Sequence, residues 1–149
     1  MSDTVCKTQM LHLLKATQFR FSVVNDGAPE NFGDFDPGGG VKTPTGVLSH
    51  INDVLTFAAM QFEPDFTSTM DKDWASQVKR LEICLANLHR ILRESDVDEE
   101  MALRLTQGPL ADVLTHVGQL AMMRRMAGAP VPGTNYFLAD IPDIVEGTA

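Results

Sequence analysis

The sequence contains few cysteines, with two in 149 residues, and neither belongs to a paired motif. Cys6 and Cys84 lie far apart, and no Cys-x-x-Cys pair accompanies them. Small secreted domains and zinc modules need several cysteines at close spacing, so the sequence excludes both a disulfide framework and a cysteine-based zinc site. We therefore expect two reduced thiols in a cytoplasmic protein.

Basic residues are also scarce, with 12 Lys and Arg against 20 Asp and Glu and a formal net charge of −8. Phosphate backbones and anionic lipid surfaces both require clustered positive charge, so we expect neither nucleic acid nor membrane as a partner. No apolar run reaches the roughly 18 residues that a transmembrane helix needs. The first ten residues lack the basic and apolar segments of a signal peptide.

Hydrophobic residues make up 44% of the chain, which is enough for a core, and the length fits one domain over residues 1–149. Helical periodicity dominates, and no segment shows sustained strand alternation. We predict four helices. The first runs from Asp3 to about Val24, the second from Pro44 to about Phe62, the third from Trp74 to about Leu92, and the fourth from near Asp96 to Gly128, with an interruption at Gly108-Pro109.

Two segments outside the helices carry predictions of their own. The first connection, of about 18 residues, is rich in Gly, Pro, Asn and Asp, and a connection of that length is typical of bundles whose first two helices run parallel. An all-α four-helix bundle is the predicted fold. Residues 129–149 form a proline-containing tail, which we expect to pack back on the bundle. The apolar side chains available for this packing are Tyr136, Phe137, Leu138 and Ile141.

Three familiar site motifs are incomplete in this sequence. The run Gly38–Thr43 resembles a phosphate loop, but Val41 stands where the glycine before the lysine is required. The run Asp34–Gly39 has two acids at calcium-loop spacing without the acid at the twelfth position. No Gly-x-Ser-x-Gly elbow is present, so a serine hydrolase is not indicated.

The four histidines differ in their surroundings. His89 flanks the apolar stripe of the third helix and reads as a solvated residue. His12 reads as a partly buried structural histidine of the first helix. His50 lies at the margin of the apolar stripe of the second helix, where a histidine can point into a bundle as a ligand or base, and Asp53 follows on the same side.

Asp112 and His116 are four residues apart, so their side chains are neighbours on the fourth helix. This spacing suits two ligands of one cation. It also suits a solvated face on which Asp112 complements the dipole of a helix restarted at Pro109. Leu120, Met122 and Met123 flank the line that Asp112 and His116 form on the helix, which favours burial, but periodicity alone leaves both interpretations open.

Two stretches of the sequence resemble the DinB/YfiT-like superfamily of metal-dependent proteins. They are "TPTGVLSHINDVLTF" and "PLADVLTHVGQLAMMRRMAGAPVPGTNYFLADI", within residues 43–62 and 108–141, and "THVGQLAMMRR" is the most specific piece. The helix order and the long first connection extend the resemblance over nearly the whole chain. The resemblance implies an up-up-down-down four-helix bundle.

The same resemblance implies a divalent metal site. By position, its ligands are His50 on the second helix and Asp112 and His116 on the fourth. The family usually has a histidine where this chain has Asp112, a departure that shifts preference toward harder ions. We expect nickel, zinc, iron or manganese at this site.

The activity implied is that of a hydrolase or a thiol S-transferase acting on a small molecule, with Asp53 or His12 as an orienting group or base. The alternative is a non-catalytic, stress-associated bundle that binds a small ligand at a degenerate metal site. The apolar excess of the fourth helix, together with the pairing common in the family, predicts a homodimer.

Overall fold

A computed structural model describes residues 3–144, with side chains from Val5 onward. Every regular element in this range is helical, so the all-α prediction is confirmed. Between these residues, no helix is both long enough and apolar enough to cross a membrane. The helices are α1 (Asp3–Asn25), α2 (Pro44–Met60), α3 (Trp74–Glu94), α4 (Glu99–Leu105) and α5 (Ala111–Met126).

Side-chain caps define where three of the helices begin. Thr43 accepts a hydrogen bond from the Gly46 N–H at 3.2 Å, and Pro44 occupies the first helical position of α2. Asp73 caps α3 through the Ser76 N–H. Asp98 caps α4, so the fourth predicted helix begins at Glu99 rather than near Asp96.

The core forms where the apolar stripes of the long helices meet. The apolar residues of α3 recur at helical spacing, which predicts that they face the core. They are buried in the C-terminal two thirds of the helix and only half-buried at Trp74 and Val78. The α1 stripe is buried at Met10, Leu14 and Phe21. The fully covered apolar positions of α3 are Leu81, Cys84, Leu85, Leu88, Ile91 and Leu92.

Two contacts show that α1 runs antiparallel to α3. The Lys7 ammonium, near the start of α1, donates to the carbonyl of Ser95 just past the end of α3, at 2.9 Å. The indole of Trp74, at the start of α3, donates to Asn25 at the end of α1, at 3.1 Å.

In contrast, α2 runs parallel to α3. Asn52 in the middle of α2 donates to Gln77 in the first turn of α3, and Glu63 just past α2 pairs with Arg90 near the end of α3. Because α1 opposes α3, α1 and α2 are antiparallel. The predicted parallel arrangement of the first two helices, and with it the up-up-down-down order, is wrong.

The predicted helix order is wrong because the two long connections follow different paths from those expected. Residues 26–43 fold compactly at one end of the molecule, with Phe32 buried and the Gly33 carbonyl accepting a hydrogen bond from Thr45. The connection that runs along the helices is the one between α2 and α3, where Ser68 lies 2.8 Å from Thr56 (Oγ to Oγ1). The first connection is long without spanning the bundle.

The last helix also ends beside the end of α1. The buried guanidinium of Arg124 donates to the carbonyls of Val24, Asp26 and Gly27 at that end. It therefore follows that α5 runs parallel to α1, and the four long helices run up, down, down and up in chain order.

The interruption predicted at Gly108-Pro109 is confirmed, and it is a π-helical turn at Thr106–Leu110. Proline has no N–H to donate and crowds the preceding turn, and the wider turn accommodates both effects. The chain stays helical on either side, with α5 beginning at Ala111. Gly128, at φ +76°, ends the helix as predicted.

The tail, which we call the strap (residues 129–144), packs on α1 in part. Tyr136 stacks over Arg20, with 3.9 Å from the guanidinium carbon to the ring centroid, and meets Phe19 edge to face at 6.0 Å. Phe137 and Leu138 are 94% and 73% exposed, so the prediction that they pack on the bundle is wrong. Residues 145–149 of the predicted tail lie outside the described residues.

Candidate metal centre

Three of the sequence-predicted site residues come together where α2 packs against α5. One ligand atom each from His50, Asp112 and His116 can be chosen so that all three lie within 4.8 Å of one another. Two donors of one ion bound at about 2.0–2.3 Å can be at most about 4.6 Å apart, so the three side chains need only small rotations to reach the spacing that a single ion requires. In the part of the chain the structure describes, this is the one group of three such side chains with that property.

The π-helical turn helps to explain why α5 presents these side chains to α2. The turn directly precedes Ala111 and changes the phase of α5 relative to α4. The buried stripe of α5 then consists of Val113, Val117, Leu120, Met123 and Arg124. Asp112 and His116 stand at the margin of that stripe, half-buried, instead of on a fully solvated face.

The backbone of α5 orients His116. Its Nδ1 lies 2.7 Å from the main-chain carbonyl oxygen of Asp112. A carbonyl can only accept, so Nδ1 carries the hydrogen and the lone pair of the neutral ring is on Nε2. A histidine anchored in this way through one nitrogen is a common feature of metal sites, where the other nitrogen binds the ion.

The Asp112 carboxylate lies between the two imidazoles. Oδ2 is 3.4 Å from Nε2 of His50, and Oδ1 is 3.4 Å from Nδ1 of His116. The two imidazole rings face each other with centroids 4.6 Å apart at an interplanar angle of 54°. One carboxylate thus contacts both rings across the junction of α2 and α5.

The site is open to solvent on one side. The side chains of His50, Asp112 and His116 are 38%, 43% and 20% exposed. Two imidazole nitrogens and one carboxylate oxygen form a donor set that suits divalent ions such as zinc, nickel, iron and manganese. Three protein ligands leave positions open for water or substrate, as in catalytic metal sites. The residues present therefore fit the metal that the resemblance implies.

Two other candidate residues are not brought into this cluster. His12 is exposed on α1, so its predicted partial burial is wrong. Asp53 is bound to the buried guanidinium of Arg80, Oδ1 to Nη2 at 2.8 Å, and 64% of its side chain is exposed. Neither side chain contacts the three clustered residues through a hydrogen bond or ion pair in the described range.

His89 also differs from its prediction as a solvated residue. Its Nε2 is buried and has no hydrogen-bond partner among residues 3–144. Burial is the main cause that lowers the pKa of His89 below its ordinary value. The sequence placed His89 beside the apolar stripe of α3, where a side chain is expected to be exposed to solvent. Its burial depends on other parts of the chain and could not be inferred from α3 alone.

Sequence reasoning also missed a cluster of polar side chains that lies between α3 and the segment joining α2 to α3. Arg80 donates to Ser68, whose hydroxyl lies 3.2 Å from the Cys84 thiol. Burial raises the pKa of that thiol. This cluster attaches the segment between α2 and α3 to α3, and Ser68 also contacts α2. The only sign of the cluster in the sequence was an arginine in the third helix.

The chain matches no family model, and neither curated proteins nor solved structures provide a match.

Proposed function

We propose that this chain is a divalent-metal-binding four-helix-bundle protein of the DinB/YfiT-like type, with His50, Asp112 and His116 as ligands. The observation that carries the proposal is the convergence of these three donors from two helices to within 4.8 Å. The sequence motifs that resemble the family contain all three residues, which supports the assignment independently of the geometry.

Each of the three side chains has a distinct part in this proposal. His116 offers Nε2, because its Nδ1–H is held by the carbonyl of Asp112. His50 offers Nε2, the nitrogen that already faces Asp112. The negative charge of the Asp112 carboxylate partly balances the charge of a divalent cation. Its oxygen donor allows harder ions to bind as well.

We propose hydrolysis or thiol S-transfer on a small molecule as the reaction class. When bound, a divalent ion with open positions supplies Lewis-acid chemistry and lowers the pKa of a water or thiol ligand. The partial exposure of all three ligands supports access by a small substrate. The acidic surface of the chain is consistent with this site attracting cations.

A second candidate function is non-catalytic binding of a small ligand. The observation that favours it is that neither predicted base joins the donors: Asp53 is engaged by Arg80, and His12 is exposed on α1. A binding protein needs the ligands and the opening, and it does not need a proton-transfer group.

We also propose that two copies of the chain associate. Met122 and Met126 are 57% and 51% exposed and stand one turn apart on α5, and apolar side chains at such positions often mark an interface.

The metal proposal is tested by elemental analysis of protein purified without a chelating tag. We expect about one divalent ion per chain, as purified or after reconstitution with nickel, zinc, iron or manganese separately. Asp112→Ala should lower the metal content, and Glu82→Ala, which removes an exposed acid of α3, should leave it unchanged. Equal metal content in the parent and Asp112→Ala, or none in the parent with any of the four ions, would contradict the proposal.

A further inference from the structure

A small cavity lies at one end of the bundle, where residues 26–43 meet the end of α5. Its volume is about 200 Å³, and it is lined by Pro29, Asn31, Phe32, Asp34, Phe35 and Ala127. Backbone hydrogen bonds hold this wall in place, because the Phe32 N–H donates to Pro29 at 2.9 Å and the Phe35 N–H donates to Phe32 at 3.1 Å. Phe32 is also fixed by its edge-to-face contact with Trp74, with ring centroids 5.1 Å apart. The cavity is therefore formed before any ligand arrives.

The lining combines apolar side chains with two polar ones. Phe32 and Phe35 contribute aromatic rings, and Pro29 and Ala127 are half-buried apolar neighbours. Asn31 and Asp34 are exposed, and neither side chain makes a hydrogen bond or an ion pair within residues 3–144. Asp34 is the one charged side chain of the lining. Its carboxylate is therefore available to a ligand that enters the cavity.

The charges around the cavity favour a cation as that ligand. The guanidinium carbon of Arg124 lies 5.9 Å from the centroid of the Phe32 ring, but its N–H groups donate to four backbone carbonyls and not to Asp34. The first connection is acidic, since one lysine, Lys42, stands against Asp26, Glu30, Asp34 and Asp36. Negative charge around an opening attracts cations and repels anions.

We propose that this cavity binds a small organic ammonium ion, in which a primary amine is carried on an apolar ring of the size of benzene. The Asp34 carboxylate supplies the counter-charge and accepts a hydrogen bond from the ammonium group. Asn31 offers a side-chain carbonyl as a second acceptor, and aromatic rings such as that of Phe35 attract cations at their faces. The apolar part of the lining covers the ring of the ligand.

The size of the cavity sets the size of the ligand. An engineered apolar cavity of about 150 Å³ binds benzene. The volume of about 200 Å³ found here therefore accommodates such a ring with a short aminomethyl arm. Larger amines would extend into solvent and gain little from the lining.

The cavity is separate from the metal centre. Ala127 follows His116 by 11 positions (127 − 116 = 11), which corresponds to about 16 Å along a helix axis. None of the six lining residues belongs to the group His50, Asp112 and His116. Binding of the amine should therefore be equal in metal-free and zinc-loaded protein, and it does not depend on the proposed metal function.

The test uses benzylammonium as the probe and benzyl alcohol as its neutral analogue. In an NMR titration of the ¹⁵N-labelled full-length chain, we expect saturable shifts concentrated in the amide signals of residues 31–35 and Ala127. Benzylammonium should bind about fivefold more tightly than benzyl alcohol, which is the upper range for one partly exposed ion pair. Benzoate, which carries the opposite charge, should bind more weakly than both.

Three variants separate this site from general attraction of cations to an acidic protein. Asp34→Asn keeps the shape and should lower the affinity for benzylammonium about fivefold, with a change of less than about twofold for benzyl alcohol. Glu30→Gln removes an exposed acid of the same segment outside the lining and should leave both affinities within about twofold. Ala127→Phe occupies the cavity with a ring of its own and should abolish the shifts of residues 31–35 with either probe.

Helical circular dichroism shows whether each variant is folded. The proposal would be overturned by the absence of saturable shifts at residues 31–35 in the parent, or by shifts centred on His50 and His116 instead. Equal affinity for benzylammonium in the parent and folded Asp34→Asn, or undiminished binding to folded Ala127→Phe, would also contradict it.

Discussion

The carboxylate of Asp112 meets the imidazole of His50 across the packing of α2 against α5, with Oδ2 3.4 Å from Nε2. The two residues are 62 positions apart in sequence (112 − 50 = 62), so only the fold brings them together. His116, one turn beyond Asp112, completes a group that joins the second helix to the last.

A divalent ion should stabilise the folded chain, because ligands from two helices converge only in the native state. At a free ion concentration 100 times the dissociation constant, the gain is about 2.7 kcal/mol, which raises the melting temperature by about 5 to 10 °C. Differential scanning calorimetry with and without each ion measures this. His50→Ala should abolish the shift, and His12→Ala should preserve it.

Substitutions of Asp112 distinguish a metal ligand from a partner of the helix dipole. As a ligand, Asp112→Ala should strip the metal and Asp112→Asn should weaken binding, whereas Asp112→His should restore or tighten it. As a dipole partner only, Asp112→Ala should cost well under about 1 kcal/mol and leave metal affinity alone. Titration of metal into the parent and the three variants decides, and equal affinity in the parent and Asp112→Ala would show that Asp112 is not a ligand.

The proposed association through α5 predicts a dimer at micromolar concentration. Met122→Glu with Met126→Glu should produce a monomer, since buried unpaired charge disfavours an apolar interface. Val41→Glu, at an exposed apolar residue of the first connection, serves as the control and should remain dimeric. Light scattering reports the mass, and a monomeric parent would contradict this prediction.

Arg124 should be among the most important polar residues for stability. It is buried and donates to four carbonyls, three at the end of α1 and the fourth at Ala129. Arg124→Met leaves these acceptors without a donor and should cost about 3 kcal/mol in urea unfolding. Arg125→Met changes the exposed neighbour and should cost less than about 0.5 kcal/mol. A loss that is equal in the two variants would show that the four bonds contribute little.

The two thiols should differ in reactivity. Cys84 is fully buried, and burial raises its pKa, so little thiolate is present or reachable at pH 8. Cys6 is half-buried near the start of α1. Alkylation of native protein should modify one thiol per chain, and Cys6→Ser should remove that reaction. Rapid modification of Cys84 in folded Cys6→Ser would show that the returning chain does not protect it.

Helix positions were predictable because caps and periodicity are local. Thr43 and Asp73 cap helices that begin at Pro44 and Trp74, as predicted, and the leucine stripe of α3 is buried over most of its length. Helix direction was not predictable, because an apolar face looks the same whichever way the helix runs. The length of a connection also does not give its path. Buried Phe32 holds residues 26–43 at one end of the bundle, and this reverses α2 relative to the prediction.

The candidate site was identifiable because four-residue spacing places Asp112 and His116 together on any helix. Periodicity could not show whether that line faces α2, because the π-helical turn before Ala111 shifts the phase of α5. The burial of the His89 ring nitrogen depends on which other segments pack beside α3, and the exposure of Phe137 depends on the path of the strap, which has no regular period. These features result from tertiary packing, and no local pattern encodes them.

The central claim is that His50, Asp112 and His116 bind one divalent ion. The most direct test is a crystal structure of protein reconstituted with zinc or nickel, with diffraction data collected on both sides of the absorption edge of the metal. We expect one anomalous peak per chain, about 2.0–2.3 Å from a nitrogen of each histidine and an oxygen of Asp112. No peak at this position in metal-loaded crystals, or a peak bound only by other residues, would contradict it.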